Sequence, residues 1–250
     1  MTNTNIYFIA NWKMFGDLTS INTINNVIKL SKNKKFKKAK IVYCPPYTLL
    51  NEFFKKIKNT NISIGAQDCH EVQEFGAFTG GISASQLKQV GVNYVILGHS
   101  ERRAAGDTNK KINKKIISAL KKKLNIILCV GENLKERKKG ISFNVVKKQL
   151  DNCLKQVKNL KPVLIAYEPI WSIGTGKILN ISDLNLIIKQ IRIYLNKKSK
   201  NKNIKILYGG SVNPKNILDL KKVSNINGFL IGNSSQKQNI FVDIIKKSII

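Results

Sequence analysis

Arginine and acidic residues are scarce in this sequence of 250 residues. Only four of its 44 basic residues are arginine, and aspartate and glutamate together number 14, so the formal net charge is +30. Such a charge by itself favours nucleic acid or another anionic surface as a partner. Arginine, however, is the residue that recognises phosphate bidentately, and the lysines are spread along the whole chain. We therefore interpret them as a solvated surface.

Cysteine, histidine and long apolar runs are also few. The four cysteines include no C-x-x-C pair, and only His70 and His99 could join them. This composition argues against a zinc cluster or a disulfide framework. The N-terminal apolar run covers only residues 6–10, too short for the core of a signal peptide. No stretch approaches the roughly 18 apolar residues of a membrane helix. We expect a cytoplasmic protein without a metal.

Short runs rich in β-branched and aromatic residues alternate with amphipathic patterns along the whole chain. Each run is short and largely apolar, as in a parallel sheet covered on both faces. Between the runs, apolar residues recur at helical spacing, clearly so over residues 112–120, 143–157 and 181–195. The predicted strands are residues 6–10, 40–43, 62–66, 94–97, 125–130, 163–167, 204–208 and 228–231.

Eight strand–helix units in strict alternation predict an α/β fold, a (β/α)8 barrel. No linker or low-complexity tract interrupts the order, so residues 1–250 are expected to form a single domain. Barrels of this kind carry their chemistry on the loops that follow the strands. The residues directly after each strand are therefore the candidates for function.

Lys13 and His99 follow the first and fourth predicted strands. Lys13 would be a cation at the barrel mouth, aimed at an anionic substrate, or one more surface lysine. His99 precedes residues that could begin a helix, whose N-terminal dipole would keep the imidazole neutral. A neutral imidazole can donate a hydrogen bond to a carbonyl oxygen; a structural core histidine is the alternative. The neighbouring Glu101 and Arg102 are interpreted as an ion pair that positions their neighbours.

A carboxylate, Glu168, ends the sixth predicted strand. A stiff Pro-Ile-Trp segment follows it, and then come Gly174, Gly176 and Lys177. This order is typical of a general base followed by a hinged lid whose glycine N–H groups approach a phosphate. Loops use glycine freely, so it is the preceding carboxylate that makes the combination specific.

Glycine-rich loops follow the seventh and eighth predicted strands. They read Gly-Gly-Ser-Val-Asn over residues 209–213 and Gly-Asn-Ser-Ser over residues 232–235. In barrels, such loops feeding a short helix N-terminus form a recurrent phosphate site. A pair of tight turns is the alternative interpretation.

Taken together, these segments resemble the triosephosphate isomerase family, and the resemblance runs from Ile6 to the C-terminal helix. GHSERR and YEPxWxIGTG are nearly diagnostic of that family. The matching segments are NWKM (11–14), GAQDCH (65–70), GAFTGG-S (76–83), GHSERR (98–103), VGE (130–132), AYEPIWSIGTGK (166–177), YGGSV (208–212) and GFLIGNSS (228–235).

The resemblance implies a single (β/α)8 TIM barrel that interconverts dihydroxyacetone phosphate and D-glyceraldehyde 3-phosphate through an enediolate, in glycolysis and gluconeogenesis, without a cofactor. It implies that Glu168 is the proton-transferring base and His99 the neutral electrophile. Lys13 is implied as the substrate-binding cation and Asn11 as a polar contact to the reacting oxygens. Phosphate contacts, largely through backbone N–H groups, are implied for Asn11, Lys13, Gly174, Ser211, Gly232 and Asn233.

Three positions depart from the family pattern. Phe15 stands where the family usually has asparagine, Gly81 where it has glutamate, and Asn233 where it has glycine. Asparagine tolerates a left-handed backbone better than most residues. Because Asn233 also keeps its N–H, the phosphate site is expected to survive.

The resemblance also implies a homodimer. The loop around Thr79 and Gly80 would reach into the partner beside Asn11 and Lys13. At +30 per chain, a dimer would carry a large like-sign charge, so its stability is expected to depend on salt. No membrane and no specific nucleic acid are expected as partners.

Two other functions remain open at this point. One is a different phosphate-binding barrel enzyme, such as a sugar-phosphate isomerase or an aldolase. The other is a basic barrel that binds nucleic acid, which predicts tight and steeply salt-dependent binding to duplex DNA.

Overall fold

The computed structural model describes residues 5–176, 178–199 and 203–250. Eight parallel strands pair in chain order, and β1 also pairs with β8, so the sheet closes into a barrel. Lys177, which the sequence assigns to the lid, lies outside the described residues. The strands are β1 (Ile6–Asn11), β2 (Ala39–Cys44), β3 (Ser63–Ala66), β4 (Tyr94–Leu97), β5 (Asn125–Val130), β6 (Val163–Tyr167), β7 (Lys205–Tyr208) and β8 (Gly228–Ile231). The predicted (β/α)8 barrel is confirmed, and each predicted strand lies within one residue of the observed bounds at either end.

Helices surround the barrel, and the described part of the chain contains ten of them. They are α1 (Asn25–Ser31), α2 (Leu50–Ile57), α3 (Ala84–Gln89), α4 (Ser100–Ala104), α5 (Asn109–Lys121), α6 (Leu134–Lys138), α7 (Ser142–Cys153), α8 (Ile181–Lys198), α9 (Ile217–Leu220) and α10 (Gln238–Ile249). The prediction of one helix after each strand is wrong after β4 and β5, where two helices follow. Gly106 and Gly140 separate these pairs with φ of 99° and 71°. Such a left-handed glycine just past a helix ends it.

Apolar side chains fill both faces of the barrel wall. One buried cluster lies between the strands and the helices. A smaller one lines the barrel interior and consists of Ile9, Val42, Cys44, Ile96, Ile127, Cys129, Leu164, Ala166, Leu207 and Leu230. The four cysteines are buried free thiols. Burial on both faces explains why the strands read as continuous apolar runs instead of alternating patterns.

The parallel register brings the carboxyl ends of the strands to one mouth. Asn11 at the end of β1 lies opposite Cys44 of β2, and Tyr167 of β6 lies opposite Tyr208 of β7. The residues that follow these strands therefore meet at the same end of the barrel. Among the helices of the described residues, none has both the length and the apolarity needed to cross a bilayer.

Candidate active site

Glu168 lies directly after β6, and its residue is only 2% exposed. Its Oε1 accepts a hydrogen bond from the Ser100 N–H at 2.8 Å. Its Oε2 faces His99, with 3.6 Å between Oε2 and the His99 Nε2. Burial raises the pKa of the Glu168 carboxyl above its ordinary value of 4.5, against the opposing effects of His99 and the Ser100 N–H. A carboxylate in this setting is a stronger base than one in water.

His99 lies after β4 and immediately before α4, with its ring almost fully buried. The backbone N–H of Glu101, in the first turn of α4, donates to the His99 Nδ1 at 3.3 Å. An imidazole that accepts at Nδ1 carries its proton on Nε2. The nitrogen that faces Glu168 is therefore the hydrogen-bond donor of the ring.

Lys13 adopts a left-handed backbone conformation with φ of 57° just after β1. Its N–H donates to the Asn11 Oδ1 at 3.2 Å, and its Nζ donates to the Glu101 Oε1 at 2.7 Å. The turn sends the ammonium group across the barrel mouth from β1 toward α4. Lys13 thereby joins the loop that carries His99.

The predicted ion pair between Glu101 and Arg102 is wrong. Glu101 pairs with Lys13, and Arg102 places its Nε 3.0 Å from the Oδ2 of Asp68. Both residues are in α4, where consecutive side chains point about 100° apart around the axis and do not face each other. Each therefore pairs with a different neighbouring loop.

A cavity of about 240 Å³ opens at the barrel mouth. All of the predicted site residues line this cavity except Glu168, which packs beside it. An added Cβ on Gly209 in the cavity wall would lie 3.2 Å from the Glu168 Cβ. The lining residues include Asn11, Lys13, His99, Gly174, Gly176, Gly209, Gly210, Ser211, Gly232 and Asn233.

Glycine backbones from three loops give this cavity its shape. Gly174 and Gly176 in the loop after β6 have φ of 70° and 76°, a conformation that favours glycine. An added Cβ on Gly232 after β8 would lie 3.6 Å from the Lys13 Cε. These loops bring several backbone N–H groups near one cation, a suitable arrangement for binding an anion.

Asn233 begins a short 3-10 helix, Asn233–Ser235, directly after Gly232. Its backbone is not among those with positive φ. Asn233 therefore does not need the tolerance of asparagine for a left-handed backbone. This position has no special conformational need, and asparagine supplies the same N–H as glycine.

Two residues that organise this site were missed as functional by sequence reasoning. Gln67 donates from Nε2 to the carbonyl oxygens of Lys13 at 2.8 Å and Cys44 at 2.9 Å. Arg103 donates from Nε to the Gly98 carbonyl at 2.7 Å. Both lie in the family segments GAQDCH and GHSERR. The acceptors of Gln67 are distant in sequence, and the acceptor of Arg103 is a backbone carbonyl, so residue spacing alone does not predict these contacts.

Within the described ranges, no group of three or more histidine, cysteine, aspartate or glutamate side chains is arranged to hold a metal ion. The chemistry that the site offers is that of a buried carboxylate, an imidazole donor and a lysine cation around a cavity suited to an anion.

Comparisons with known proteins agree with this geometry. The family model for triosephosphate isomerase matches residues 6–248. The chain is 44% identical to triosephosphate isomerase of Thermoanaerobacter pseudethanolicus over 242 residues, which cover 94% of this chain and 96% of that protein. It is 40% identical to the Yarrowia lipolytica triosephosphate isomerase, over 96% of this chain and 97% of that one. The chain belongs to the triosephosphate isomerase family.

A solved structure shows the same fold. The crystal structure of triosephosphate isomerase from Bartonella henselae superposes with a TM-score of 0.88 at 32% identity, over 97% of this chain and 98% of that chain. The predictions of the family, of the barrel, and of a glycolytic isomerase of triose phosphates are confirmed by this membership. It decides among the three functions that the sequence left open.

Proposed function

We propose that Glu168, His99, Lys13 and Asn11 carry out the interconversion of dihydroxyacetone phosphate and D-glyceraldehyde 3-phosphate. One observation carries this assignment: the buried Glu168 carboxylate places Oε2 3.6 Å from the His99 Nε2 at the wall of the anion-binding cavity. A base and a hydrogen-bond donor are thus held together beside one substrate-sized space. Proton transfer next to a carbonyl needs this pair.

Glu168 removes a proton from the carbon beside the substrate carbonyl. The electrons of the C–H bond form the C=C bond of the enediolate, and negative charge develops on the carbonyl oxygen. The Nε2–H of His99 and the ammonium of Lys13 stabilise that charge as it develops. His99 gives its Nε2 proton to this oxygen and takes the proton of the hydroxyl on the other carbon. Glu168 then returns its proton to the former carbonyl carbon, where the C=C electrons form the new C–H bond, and the new carbonyl forms on the carbon that first lost its proton. Asn11 contacts the reacting oxygens and holds the Lys13 turn through its Oδ1.

The substrate phosphate occupies the cavity between the lid and the loops after β7 and β8. Backbone N–H groups of Gly174, Ser211, Gly232 and Asn233 bind its oxygens. The Lys13 side chain passes beside Gly232, where an added Cβ would lie 3.6 Å from the Lys13 Cε. Phosphate binding, remote from the reacting carbons, supplies the energy that closes the lid. Closure excludes water and holds the phosphate in a pose that disfavours its elimination from the enediolate.

The acid limb of the pH–rate profile tests the role of Glu168. Burial raises the pKa of this carboxyl above 4.5, and only the ionised form can accept a proton. We expect kcat/KM to fall as the pH decreases, with a midpoint above 4.5 that belongs to Glu168. The measurement is a coupled assay across pH, with kcat/KM calculated on the phosphate dianion because substrate phosphate itself titrates near pH ~6. A midpoint at or below the ordinary glutamate value would contradict a buried Glu168 base.

We also propose that the chain forms a homodimer through the loop around Thr79 and Gly80. Phe75 and Phe78 in this loop are 69% and 49% exposed, and large exposed apolar side chains mark interaction surfaces when they cluster. A cavity of about 360 Å³ adjoins Lys13 and His99 on the same side of the barrel. It has room for such a loop from a second copy.

Light scattering measures this assembly directly. We expect a mass of twice 28.2 kDa at physiological salt. At low salt the repulsion between the positively charged copies is less screened, so we expect partial dissociation. Phe78→Ser should shift the equilibrium to monomer, whereas Leu186→Ser, a change of an exposed apolar residue on α8, should not. A natural chain that is only monomeric at physiological salt would overturn the dimer.

A single domain over residues 1–250, a cytoplasmic location and independence of cofactors complete the proposal. The single domain is supported by the closed barrel and by the family match over residues 6–248. Four free, buried cysteines suit a reducing compartment, and the proposed reaction moves only protons.

A further inference from the structure

Gln149 bonds both backbone polar groups of Gly131 from the outer side of the barrel. It lies on α7, and its Oε1 accepts from the Gly131 N–H at 2.9 Å. Its Nε2 donates to the Gly131 carbonyl oxygen at 2.9 Å. One side-chain amide therefore satisfies both groups, as a neighbouring strand would do, at the point where β5 has ended.

The residues on either side of Gly131 are hydrogen-bonded to the backbone of Glu168 and Ile170. The Val130 carbonyl oxygen accepts from the Glu168 N–H at 2.9 Å, and the Glu132 carbonyl oxygen accepts from the Ile170 N–H at 3.0 Å. Gly131 lies between these two contacts. Residues 168–170 are thus hydrogen-bonded, through Glu168 and Ile170, to the residues on either side of Gly131.

Gly131 also touches Glu168 directly. A Cβ added to Gly131 would lie 1.9 Å from the Glu168 carbonyl oxygen and 2.6 Å from its carbonyl carbon. No side chain fits between the two backbones, so a displacement of Gly131 transfers to the Glu168–Pro169 peptide. This is the peptide that connects the carboxylate-bearing residue to the lid.

We propose that Gln149 is a positioning residue for the reaction, acting through Gly131 to set the location of the Glu168 carboxylate. The inference rests on the proposed role of Glu168 as the base. Gln149 suits this task because an amide donates and accepts at once and keeps no charge at any working pH. Its side chain does not line the substrate cavity, so its effect passes through the backbone.

The first test is Gln149→Met, which keeps the length of the side chain and removes both hydrogen bonds. We expect kcat to fall about tenfold, since small displacements of a catalytic group are costly. The inhibition constant for inorganic phosphate should stay within twofold, because three of the four proposed backbone phosphate contacts, Ser211, Gly232 and Asn233, are on the loops after β7 and β8. A merely structural role would not separate these two readouts.

Asn113→Leu is the matched control. The Asn113 Nδ2 donates to the carbonyl oxygens of Cys153 and Lys155, both at 2.8 Å, so this variant also removes an amide that joins two backbone groups. Its contacts are at the end of α7, away from Glu168. We expect it to lose stability and keep its kcat.

A second variant, Gln149→Glu, adds a pH-dependent readout. An ionised carboxylate accepts from the Gly131 N–H but repels the Gly131 carbonyl, whereas a protonated carboxyl restores the donor–acceptor pair. We expect the ratio of its kcat to that of the natural chain to rise as the pH decreases. A ratio that is flat with pH, or a folded Gln149→Met with natural kcat, would overturn the inference.

Glu168→Asp, measured in the same assay, separates the two possible failures. If Glu168→Asp retains natural kcat, the assignment of the base is wrong and the inference falls with it. If Glu168→Asp is strongly impaired and Gln149→Met is not, the base stands and only the positioning role of Gln149 is overturned.

Discussion

The Glu168→Gln variant is expected to interconvert triose phosphates roughly 10⁴-fold more slowly than the natural chain, the upper range for loss of a general base. An amide at this position cannot accept the proton from the substrate carbon, although it fills the same space. Glu168→Asp keeps a carboxylate but withdraws it by one methylene, so we expect a loss of about 100-fold. The measurement is kcat in a coupled assay of glyceraldehyde 3-phosphate turnover.

Stability should not fall with activity in Glu168→Gln. Burial raises the pKa of Glu168, so the ionised group opposes folding at neutral pH, and the stability gained by the protonated form is lost as the pH rises through that pKa. A neutral amide removes the unfavourable effect of the buried charge on the free energy of folding. Glu52→Gln, on the exposed side of α2, controls for the lost charge and should retain natural kcat. Substantial turnover by a folded Glu168→Gln would show that another group is the base.

The second large effect concerns stability and comes from Lys115 on α5. Its residue is only 2% exposed, and its Nζ lies 2.8 Å from an Asp68 oxygen and 2.6 Å from an Asp107 oxygen. Lys115→Met leaves two carboxylates together, and the Asp107 side chain is fully buried. We expect the free energy of unfolding to fall by about 3–5 kcal/mol, as when one partner of a buried ion pair is removed. Urea unfolding at pH 7 and fixed protein concentration measures it.

The pH dependence of this loss identifies its cause. Burial alone would raise the pKa of Asp107, but the hydrogen bond and charge of Lys115 outweigh it, and the pKa is lowered. A lowered pKa in the folded state stabilises the protein above the unfolded value of 3.8, and this contribution is lost as the pH falls through the folded value. The difference between Lys115→Met and the natural chain should therefore shrink in acid.

Lys111→Met is the matched control for this prediction. The Lys111 Nζ also approaches Asp107, at 3.3 Å, but its side chain is 43% exposed. Because the Lys111 ammonium stays largely in water, we expect its removal to cost about 0–1 kcal/mol, as at a solvent-exposed ion pair. An equal loss in the two variants would contradict the importance of burial at Lys115.

The pattern of apolar residues along the chain predicted the strands and the residues that follow them. The strand bounds follow from apolar runs that any helix-covered parallel sheet requires, and the positions of Glu168, His99 and Lys13 follow from their place after strands. The prediction of one helix per strand was wrong where Gly106 and Gly140 separate two helices. The sequence alone does not show which glycines adopt a left-handed backbone.

By itself, the sequence determined the barrel, because strand and helix periodicity encode it. The resemblance of its segments to the family implied the family and the candidate site residues. Only the tertiary structure decided which groups meet: Glu101 with Lys13 instead of Arg102, and Gln149 with the glycine against which Glu168 rests. These contacts join loops and helices whose relative placement is set by closure of the barrel, and no spacing along the chain records that geometry.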